Sequence, residues 1–462
     1  MKYQHPHANI FFIAVLLCGV AGCFFSGKSS IADTYDELRD ETAFLVKDSA
    51  INDYFAMTEK GIFLYENAEN KKSGIPEAVI YPEEYELFAA LVNTLSADSM
   101  LGLYLKKGTN RWPDSLLSAY QTTEETIFHY GQDSLQPLKG LRIALDPGHV
   151  AGDFETAVTE GKYIHMKPSP ATYMQPIQFF EAGLTLATAW VIREELEAMG
   201  ATVLMTRTQP GRGALGLTFQ EWKNYRWDSL MQAEKETGTL TAEEIRQWKT
   251  KAQDKDIMSR FFTPEDLRER AKLVNAFHPH LTLIIHYNVD SPNWENRDAE
   301  GNFSPTGQNY CMAFVPGAFM AGELAEPENR LAFLRMVLTN DVKQSIELSR
   351  AFIHHSTQIT GVPIVTQEYP LRYLHNASVY TGYPGVYARN LSLTRLINGP
   401  VCYGESLCQD NISESRTFNT KDTDIGGVTV SKRVKVVARA YVEAVKEYTE
   451  KEFAINSASG RQ

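Results

Sequence analysis

Residues 141–149 read Leu-Arg-Ile-Ala-Leu-Asp-Pro-Gly-His, and this stretch decides the fold class that we expect for the chain. The apolar run 141–145 has the length and composition of a buried strand. Asp-Pro-Gly is a turn signal that ends the strand, so His149 is expected at its carboxyl end. In open α/β sheets, ligands bind outside the carboxyl ends of the strands. His149 is therefore the first candidate for a functional side chain.

Two later apolar runs are also followed by polar side chains. Residues 281–285 lead to His286, and residues 400–403 lead through Gly404 to Glu405, so all of these side chains are expected at element ends. Between the first two runs, Glu181 opens a long amphipathic segment. Two imidazoles and a carboxylate from separate elements match the protein ligands of a catalytic zinc ion, and a second carboxylate would supply the base. Each residue alone also has an ordinary structural interpretation, such as a turn residue, a loop acid or a helix-start acid favoured by the helix dipole.

Strands and helices alternate from residue 138 onward, which predicts an α/β fold with a mainly parallel sheet covered by helices on both faces. One helix is expected to begin at Thr263 as N-cap, with Pro264 in its first position. The expected strands are 141–145, 202–206, 281–285, 309–315 and 400–403, and the expected helices are 181–199, 263–277, 331–360 and 431–448. The stretches 150–180 and 208–262 interrupt this order as insertions on the side of the candidate site.

Composition limits the other classes of protein that the chain could belong to. Of 462 residues, 43% are hydrophobic and 22% are charged, as in an ordinary globular protein. The net charge of −12 argues against a nucleic-acid binder, which would show a basic excess. Residues 40–136 mix short strand-like and helical patterns, which predicts a small N-terminal α+β accessory domain of unknown role. Residues 137–455 then form the main domain with its two insertions.

Residues 1–23 resemble a bacterial lipoprotein signal. An apolar segment at 10–17 is too short to span a bilayer comfortably, and Val-Ala-Gly-Cys follows at 20–23. The resemblance implies a lipid anchor at Cys23, followed by a tether over 24–39. Phe24 stands where an Asp tends to retain such lipoproteins in the inner membrane, so the implied location is the periplasm, with an anchor in the outer membrane. A plain cleaved signal or a short uncleaved anchor is the alternative, and in either case we expect an exported protein.

Outside the signal segment, the chain has three cysteines, Cys311, Cys402 and Cys408. An odd set cannot pair completely within the chain. A disulfide between Cys402 and Cys408 would tie down the segment that carries Glu405. The alternative interpretation is that all three are small buried hydrophobic residues.

Four groups of residues in order along the chain resemble the zinc-dependent N-acetylmuramoyl-L-alanine amidases of the amidase 3 family. The groups are 143–149, 181–187 continuing to 205–207, 270–275 before 285–288, and 400–411, and they extend over nearly all of 140–450 apart from the insertions. The resemblance implies that His149, Glu181 and His286 bind one zinc ion and that Glu405 is the catalytic acid/base. The spacing from the ligand Glu to Arg207 also suits the family, which favours Glu181 over Glu155 or Glu160.

The resemblance further implies a reaction and a partner. Zinc-activated water would hydrolyse the amide between the lactyl group of N-acetylmuramic acid and the L-alanine of the stem peptide. Peptidoglycan is the implied partner, and the existence of an activator protein is left open. The alternatives are a zinc metallopeptidase that cuts another cell-wall or peptide bond and a catalytically silent wall-binding module.

The chain departs from the family pattern at three places. Val150-Ala151 replaces the usual Gly-Gly after the first His, Ala182 replaces a Lys that commonly follows the ligand Glu, and Ser406-Leu407 replaces the usual Gly-Phe after Glu405. None of these changes removes a ligand or the base. They bear on substrate preference more than on catalysis.

The insertion 208–262 is polar, with helical patterns at 220–237 and 241–254. A polar helical insert anchored on both sides of the site could act as a lid, because some members of the resembled family are held inactive by a helix over the metal. The candidate acids that would approach the metal are Glu234, Glu236, Glu243 and Glu244. A solvated helical hairpin without a regulatory role is the alternative.

Overall fold

The computed structural model describes residues 42–453, apart from residues 114, 117–129, 132, 170–172 and 291–296. The expected signal segment, the tether and the lipidation site Cys23 lie outside the described residues. Within the described part of the chain, no helix is long and apolar enough to cross a membrane.

Strands and helices are numbered here in chain order. The strands are β1 (Phe55–Thr58), β2 (Gly61–Leu64), β3 (Ala78–Ile80), β4 (Arg142–Pro147), β5 (Tyr163–Met166), β6 (Ile177–Phe180), β7 (Thr202–Met205), β8 (Leu281–Asn288), β9 (Met312–Val315), β10 (Ser378–Tyr380), β11 (Val386–Arg389), β12 (Val401–Cys408), β13 (Thr423–Ile425) and β14 (Val428–Val430). The α-helices are α1 (Ala68–Lys72), α2 (Tyr85–Thr94), α3 (Ala97–Lys107), α4 (Phe154–Glu160), α5 (Glu181–Ala198), α6 (Phe219–Glu236), α7 (Ala242–Thr250), α8 (Asp254–Ile257), α9 (Thr263–Phe277), α10 (Pro327–Leu338), α11 (Asp341–Thr360), α12 (Arg372–Ala377), α13 (Ser392–Leu396), α14 (Ile412–Phe418) and α15 (Arg433–Phe453).

A seven-stranded sheet in the order β10-β11-β9-β12-β8-β4-β7 lies at the centre of the fold. The pairs β11–β9, β12–β8, β8–β4 and β4–β7 are parallel, whereas β10–β11 and β9–β12 are antiparallel. The sheet is therefore mostly parallel. Together with the helices that flank it, this arrangement confirms the predicted α/β fold class.

Apolar side chains along β4 alternate between two layers. Ile143 and Leu145 belong to a large buried cluster with residues of α5, α11 and α15, whereas Ala144 belongs to a second cluster with residues of α9 and α13. Successive side chains of a strand point to opposite faces of the sheet. Because helices cover both faces of the sheet, almost every side chain of β4 is buried and the strand has a continuous apolar sequence. This apolar run is the pattern from which the strand was predicted.

The N-terminal region contains the three-stranded antiparallel sheet β1–β2–β3 with helices α1 to α3, in agreement with the predicted α+β composition. Arg330 of α10 donates two hydrogen bonds of 2.7 Å to the carboxylate of Glu77, which also accepts one from Tyr104. Apolar residues of this region and of the main sheet belong to one buried cluster. The division of the chain at residue 136 stays a prediction.

Two predictions about helices are wrong. Thr263 is not an N-cap, because α8, a π-helical turn at Met258–Phe262 and α9 follow one another without a break, and the residue before Thr263 is itself helical. Met258 and Phe262 are buried in the apolar core of the insertion, which keeps the chain helical here. The expected helix 331–360 is divided into α10 and α11, because Thr339 has an extended backbone (φ −125°, ψ 165°).

The insertion 150–180 contains regular structure that the sequence did not predict. It forms helix α4 and the antiparallel hairpin β5–β6. The backbone N–H of Glu181 donates to the carbonyl of Lys162, and Phe303 donates to that of His165. These bonds attach the hairpin to the segment that begins α5 and to the residues after β8.

Candidate metal centre

His286 and Glu405 lie opposite each other in the pairing of two neighbouring strands. The parallel register of β8 and β12 pairs Glu405 with His286. After an irregularity in β12, it pairs Cys408 with Asn288. The prediction that both side chains follow the ends of their strands is therefore wrong, because β8 and β12 pair further than their apolar runs extend. Side chains paired in register point to the same face of a sheet. The sheet itself thus brings the histidine and the carboxylate together.

His149 reaches the same place from β4, as predicted for a residue at the end of a strand. The strand ends at Pro147, and His149 has a left-handed backbone with φ of 62°. A Cβ atom on Gly148 would lie 2.3 Å from Cε1 of His286, so only glycine lets the ring of His286 pack against this turn. The rings of His149 and His286 then lie 4.8 Å apart between centroids and meet edge to face.

Glu181, the first residue of α5, lies between the two histidines. Its Oε1 is 3.0 Å from Nδ1 of His286 and accepts a hydrogen bond from the backbone N–H of Tyr287. Its Oε2 is 3.2 Å from Nε2 of His149 and accepts a hydrogen bond from Nε2 of Gln409. Burial opposes ionisation of this carboxyl, but the charge of His149 and the hydrogen bond with His286 outweigh burial and lower the pKa of Glu181 well below its ordinary value.

These three residues fit a zinc ion. One ligand atom from each of His149, Glu181 and His286 lies within 4.8 Å of the other two. Nε2 of His149 is buried and lies close to Oε2 of Glu181, but it makes no hydrogen bond to any described residue, so it can bind a metal ion. Burial lowers the pKa of His286 to about 4, which keeps its imidazole neutral. Zinc requires neutral imidazoles and an ionised carboxylate.

Glu160 is a residue of this centre that the sequence suggested only as an alternative ligand. Its Oε1 lies 3.3 Å from Nδ1 of His149, and its carboxylate accepts hydrogen bonds from the backbone N–H groups of Val150 and Ala151. Burial opposes its ionisation, but His149 outweighs burial and lowers the pKa of Glu160. A carboxylate that holds the second ring nitrogen of a metal-binding histidine fixes the orientation of the ring. Only the folding of α4 back towards the strand end brings Glu160 to His149.

Two buried arginines hold the turn that carries His149. Arg207 donates to the carbonyls of Pro147 and Gly148, and Arg270 donates to those of Pro147 and His149, at 2.8–3.0 Å. Asp266 and Asp146 pair with Arg270 at 2.7 and 3.3 Å. The arginines belong to the motifs on which the family resemblance rests, but nothing in their spacing indicated this role. Their hydrogen bonds support the left-handed backbone of His149.

Glu405 faces a small cavity beside the three candidate ligands. The cavity has a volume of about 70 Å³, and its walls include Glu181, His286, Glu405, Gln409 and Lys162. Oε2 of Glu405 is buried and has no hydrogen-bond partner among the described residues. Burial and the nearby charge of Glu181 raise the pKa of Glu405 to about 8. Glu181 and Glu405 line the same cavity, and a cation there would reduce the repulsion between their charges.

The four candidate lid acids bind within their own helices or lie at the surface. Glu236 accepts a hydrogen bond from Gln232, Glu243 pairs with Arg246, and Glu244 caps α7 through Thr241. Glu234 is partly exposed. None of the four belongs to the group of candidate ligands formed by the described residues. The insertion nevertheless lies beside the centre, because Phe262 lines a cavity of about 210 Å³ together with His149 and His286.

Cys311, Cys402 and Cys408 are buried free thiols, as the second interpretation of the cysteines predicted. Cys402 and Cys408 lie in the same strand, β12. Six residues of extended strand span about 20 Å, whereas the Cα atoms of a disulfide are at most about 7 Å apart. The strand therefore keeps these two cysteines apart.

A scan against protein-family models found no match, and a search of curated proteins found none either. Among solved structures, the chain is similar to several N-acetylmuramoyl-L-alanine amidases at low identity. One is the amidase Ami1 of Mycobacterium smegmatis, with 15% identity, a TM-score of 0.35, and coverage of 68% of this chain and 99% of that chain.

Two further structures are similar to a comparable degree. The CwlD amidase of Clostridioides difficile, solved in complex with the GerS lipoprotein, has 14% identity and a TM-score of 0.33, and the match covers 67% of this chain and 98% of that chain. The amidase AmiC2 of Nostoc punctiforme has 10% identity and a TM-score of 0.31, with 67% and 98% covered.

Proposed function

We propose that this protein is a zinc-dependent N-acetylmuramoyl-L-alanine amidase that hydrolyses peptidoglycan. The observation that carries the proposal is the convergence of His149, Glu181 and His286 beside Glu405. The four residues come from the turn after β4 and from α5, β8 and β12, four separate parts of the fold. A set that matches zinc ligands and a base in kind and in position supports hydrolysis of an amide better than a purely structural role.

His149, Glu181 and His286 would hold one zinc ion, which would polarise the scissile carbonyl and lower the pKa of a water molecule to roughly 7. Glu405 takes the proton of the attacking water and returns it to the leaving nitrogen. Its Oε2 suits this task because it is buried and no described residue forms a hydrogen bond with it. Glu160, Arg207 and Arg270 keep His149 in position. Glu405 lines a small cavity, where electrostatic interactions are stronger than in bulk water.

The substrate bond is the amide between the lactyl group of N-acetylmuramic acid and the L-alanine of the stem peptide. This part of the proposal rests on the motifs quoted for the family. The same motifs and the N-terminal signal support an exported, periplasmic enzyme that meets peptidoglycan while a lipid at Cys23 anchors it to the outer membrane.

Residues 208–262 are proposed as a lid over the centre. Helices α6 and α8 and the π-helical turn form an apolar core that includes Val150, the residue after His149. Trp222 is fully buried in this core, and its indole N–H donates to Glu265. A folded insert that packs against the neighbour of a candidate ligand is placed to affect access to the centre.

Release of dye from labelled sacculi tests the proposed activity. Wild-type protein should release dye, and Glu405→Gln should release it about 10²–10⁴ times more slowly, which is the usual contribution of a positioned general base. The variant should keep its zinc and its fold. Glu443→Gln, the same substitution on helix α15, serves as the control and should behave as wild type. Near wild-type release by Glu405→Gln would contradict the assignment of the base.

A further inference from the structure

Gln409 lies directly after β12 and lines the same small cavity as Glu405 and Glu181. Its side chain is almost completely buried, with 2% exposed. Its amide Nε2 donates to Oε2 of Glu181 at 3.1 Å and to the backbone carbonyl of Tyr287 at 3.0 Å. Gln409 therefore connects the candidate ligand Glu181 to strand β8.

These two contacts determine which way the amide of Gln409 points. A backbone carbonyl can only accept hydrogen bonds, and so can an ionised carboxylate. Both neighbours therefore require the NH₂ group of Gln409, and the amide cannot be turned over without losing two hydrogen bonds. Oε1 must point the other way. It is buried and has no hydrogen-bond partner among the described residues.

The cavity thus presents two buried oxygen atoms that have no hydrogen-bond partner in the described part of the chain, Oε1 of Gln409 and Oε2 of Glu405. Buried polar groups in folded proteins are nearly always hydrogen-bonded, so an exception calls for a donor that arrives from outside. Hydrolysis of an amide brings two donors, the attacking water and the N–H of the amide. The proposed role of Glu405 already uses the water.

We propose that Oε1 of Gln409 accepts a hydrogen bond from the N–H of the scissile amide, while Nε2 of Gln409 holds Glu181 in its orientation. The inference rests on the proposed amidase function and adds a substrate-binding residue to it. A cavity of about 70 Å³ has room for little more than the reacting group, so the N–H that meets Gln409 is that of the scissile bond. The hydrogen bond fixes the plane of the amide and turns its nitrogen towards Glu405.

The experiment compares two soluble substrates, a muramoyl-L-alanyl peptide and its ester analogue in which L-lactate replaces L-alanine. The ester keeps the carbonyl but lacks the N–H. Wild-type protein and the variants Gln409→Met and Gln409→Asn are assayed on both substrates, and zinc content is measured in parallel. Met removes both polar atoms at similar length, and Asn withdraws the carbonyl from the cavity by one methylene. Ser406→Ala is the matched control, because Ser406 is a buried polar residue of β12, the strand that Gln409 follows, and its hydroxyl bonds the hydroxyl of Tyr441.

If the inference holds, each Gln409 variant lowers kcat/KM on the amide about 10-fold more than on the ester, as expected for one lost hydrogen bond that the ester cannot make. Ser406→Ala should change both substrates equally. Equal losses on amide and ester in a folded, zinc-loaded Gln409 variant would overturn the inference and leave the proposed function intact. A wild-type protein without activity on the amide would overturn both.

Discussion

Nδ1 of His149 lies 3.3 Å from Oε1 of Glu160, whose carboxylate also accepts hydrogen bonds from the two backbone N–H groups that follow His149. The candidate ligand and the turn that presents it are therefore held by one carboxylate. Contacts of this kind tune a metal site without touching the metal.

Glu160→Gln should weaken zinc binding about 10–100-fold while the protein stays folded, which is the usual effect of removing an outer-shell partner of a ligand. The amide of the variant can still accept a backbone hydrogen bond. It favours less strongly the form of His149 that carries its proton on Nδ1 and leaves Nε2 free to bind zinc. Competition with a chromophoric chelator measures the affinity. Glu155→Gln, on the exposed side of the same helix α4, is the control and should bind zinc as wild type does. An unchanged affinity in Glu160→Gln would show that Glu160 is only a backbone cap.

The double variant His149→Ala, His286→Ala should lose the single zinc ion that we expect per chain. Two of the three protein ligands are removed, and a carboxylate alone binds zinc weakly. Elemental analysis of the purified protein measures the metal. His354 and His355 form another group with Glu447 that could bind a metal ion, so His354→Ala, His355→Ala is the matched control and should keep its zinc. Retention of zinc by the first variant and loss by the control would refute the assignment.

Gly148→Ala should displace the ring of His286 and lower activity about 100-fold, because a shift of about 1 Å in a catalytic constellation has effects of this size. The added methyl would lie 2.3 Å from Cε1 of that ring. Sacculus hydrolysis and zinc content measure the change. Gly102→Ala in helix α3 is the control, since no atom lies within 4 Å of its added Cβ, and it should stabilise the fold slightly. Full activity of Gly148→Ala would show that the centre tolerates movement of His286.

Replacement of residues 212–258 by a short Gly/Ser linker should leave zinc in place and raise activity on sacculi, if the insertion acts as a lid. The apolar core that the deletion removes includes Val150, so the position of His149 must be checked through zinc affinity. A folded, zinc-loaded form that is no more active than wild type would assign the insertion to substrate binding or to structure.

The sequence predicted the sheet and four candidate residues of the centre, His149, Glu181, His286 and Glu405, because their signals are local. Residues 141–145 are buried on both faces and therefore form an apolar run, and His149 directly follows the turn that ends it. Pairing between strands is not local. Glu405 lies within β12 because that strand pairs with β8 as far as Cys408, and no pattern around Glu405 indicates this.

The residues that the sequence missed depend on tertiary contacts. Glu160 comes 11 positions after His149 and meets it because α4 folds back. Gln409 contacts Glu181 across 228 positions of sequence. The predicted N-cap at Thr263 had a favourable local sequence, but burial of Phe262 in the insertion keeps the chain helical through that point. In each case, packing between distant segments decided the outcome.

Mass spectrometry of the products released from purified peptidoglycan tests the central claim most directly, because it identifies the bond that is cut. We predict intact stem peptides with a free L-alanine N-terminus and glycan chains whose muramic acid carries no peptide. Glu405→Gln, loaded with zinc, should yield neither product. Cleavage within the stem peptide, with L-alanine still attached to muramic acid, would contradict the amidase function and indicate a metallopeptidase. Binding to the wall without any product would indicate a silent wall-binding module.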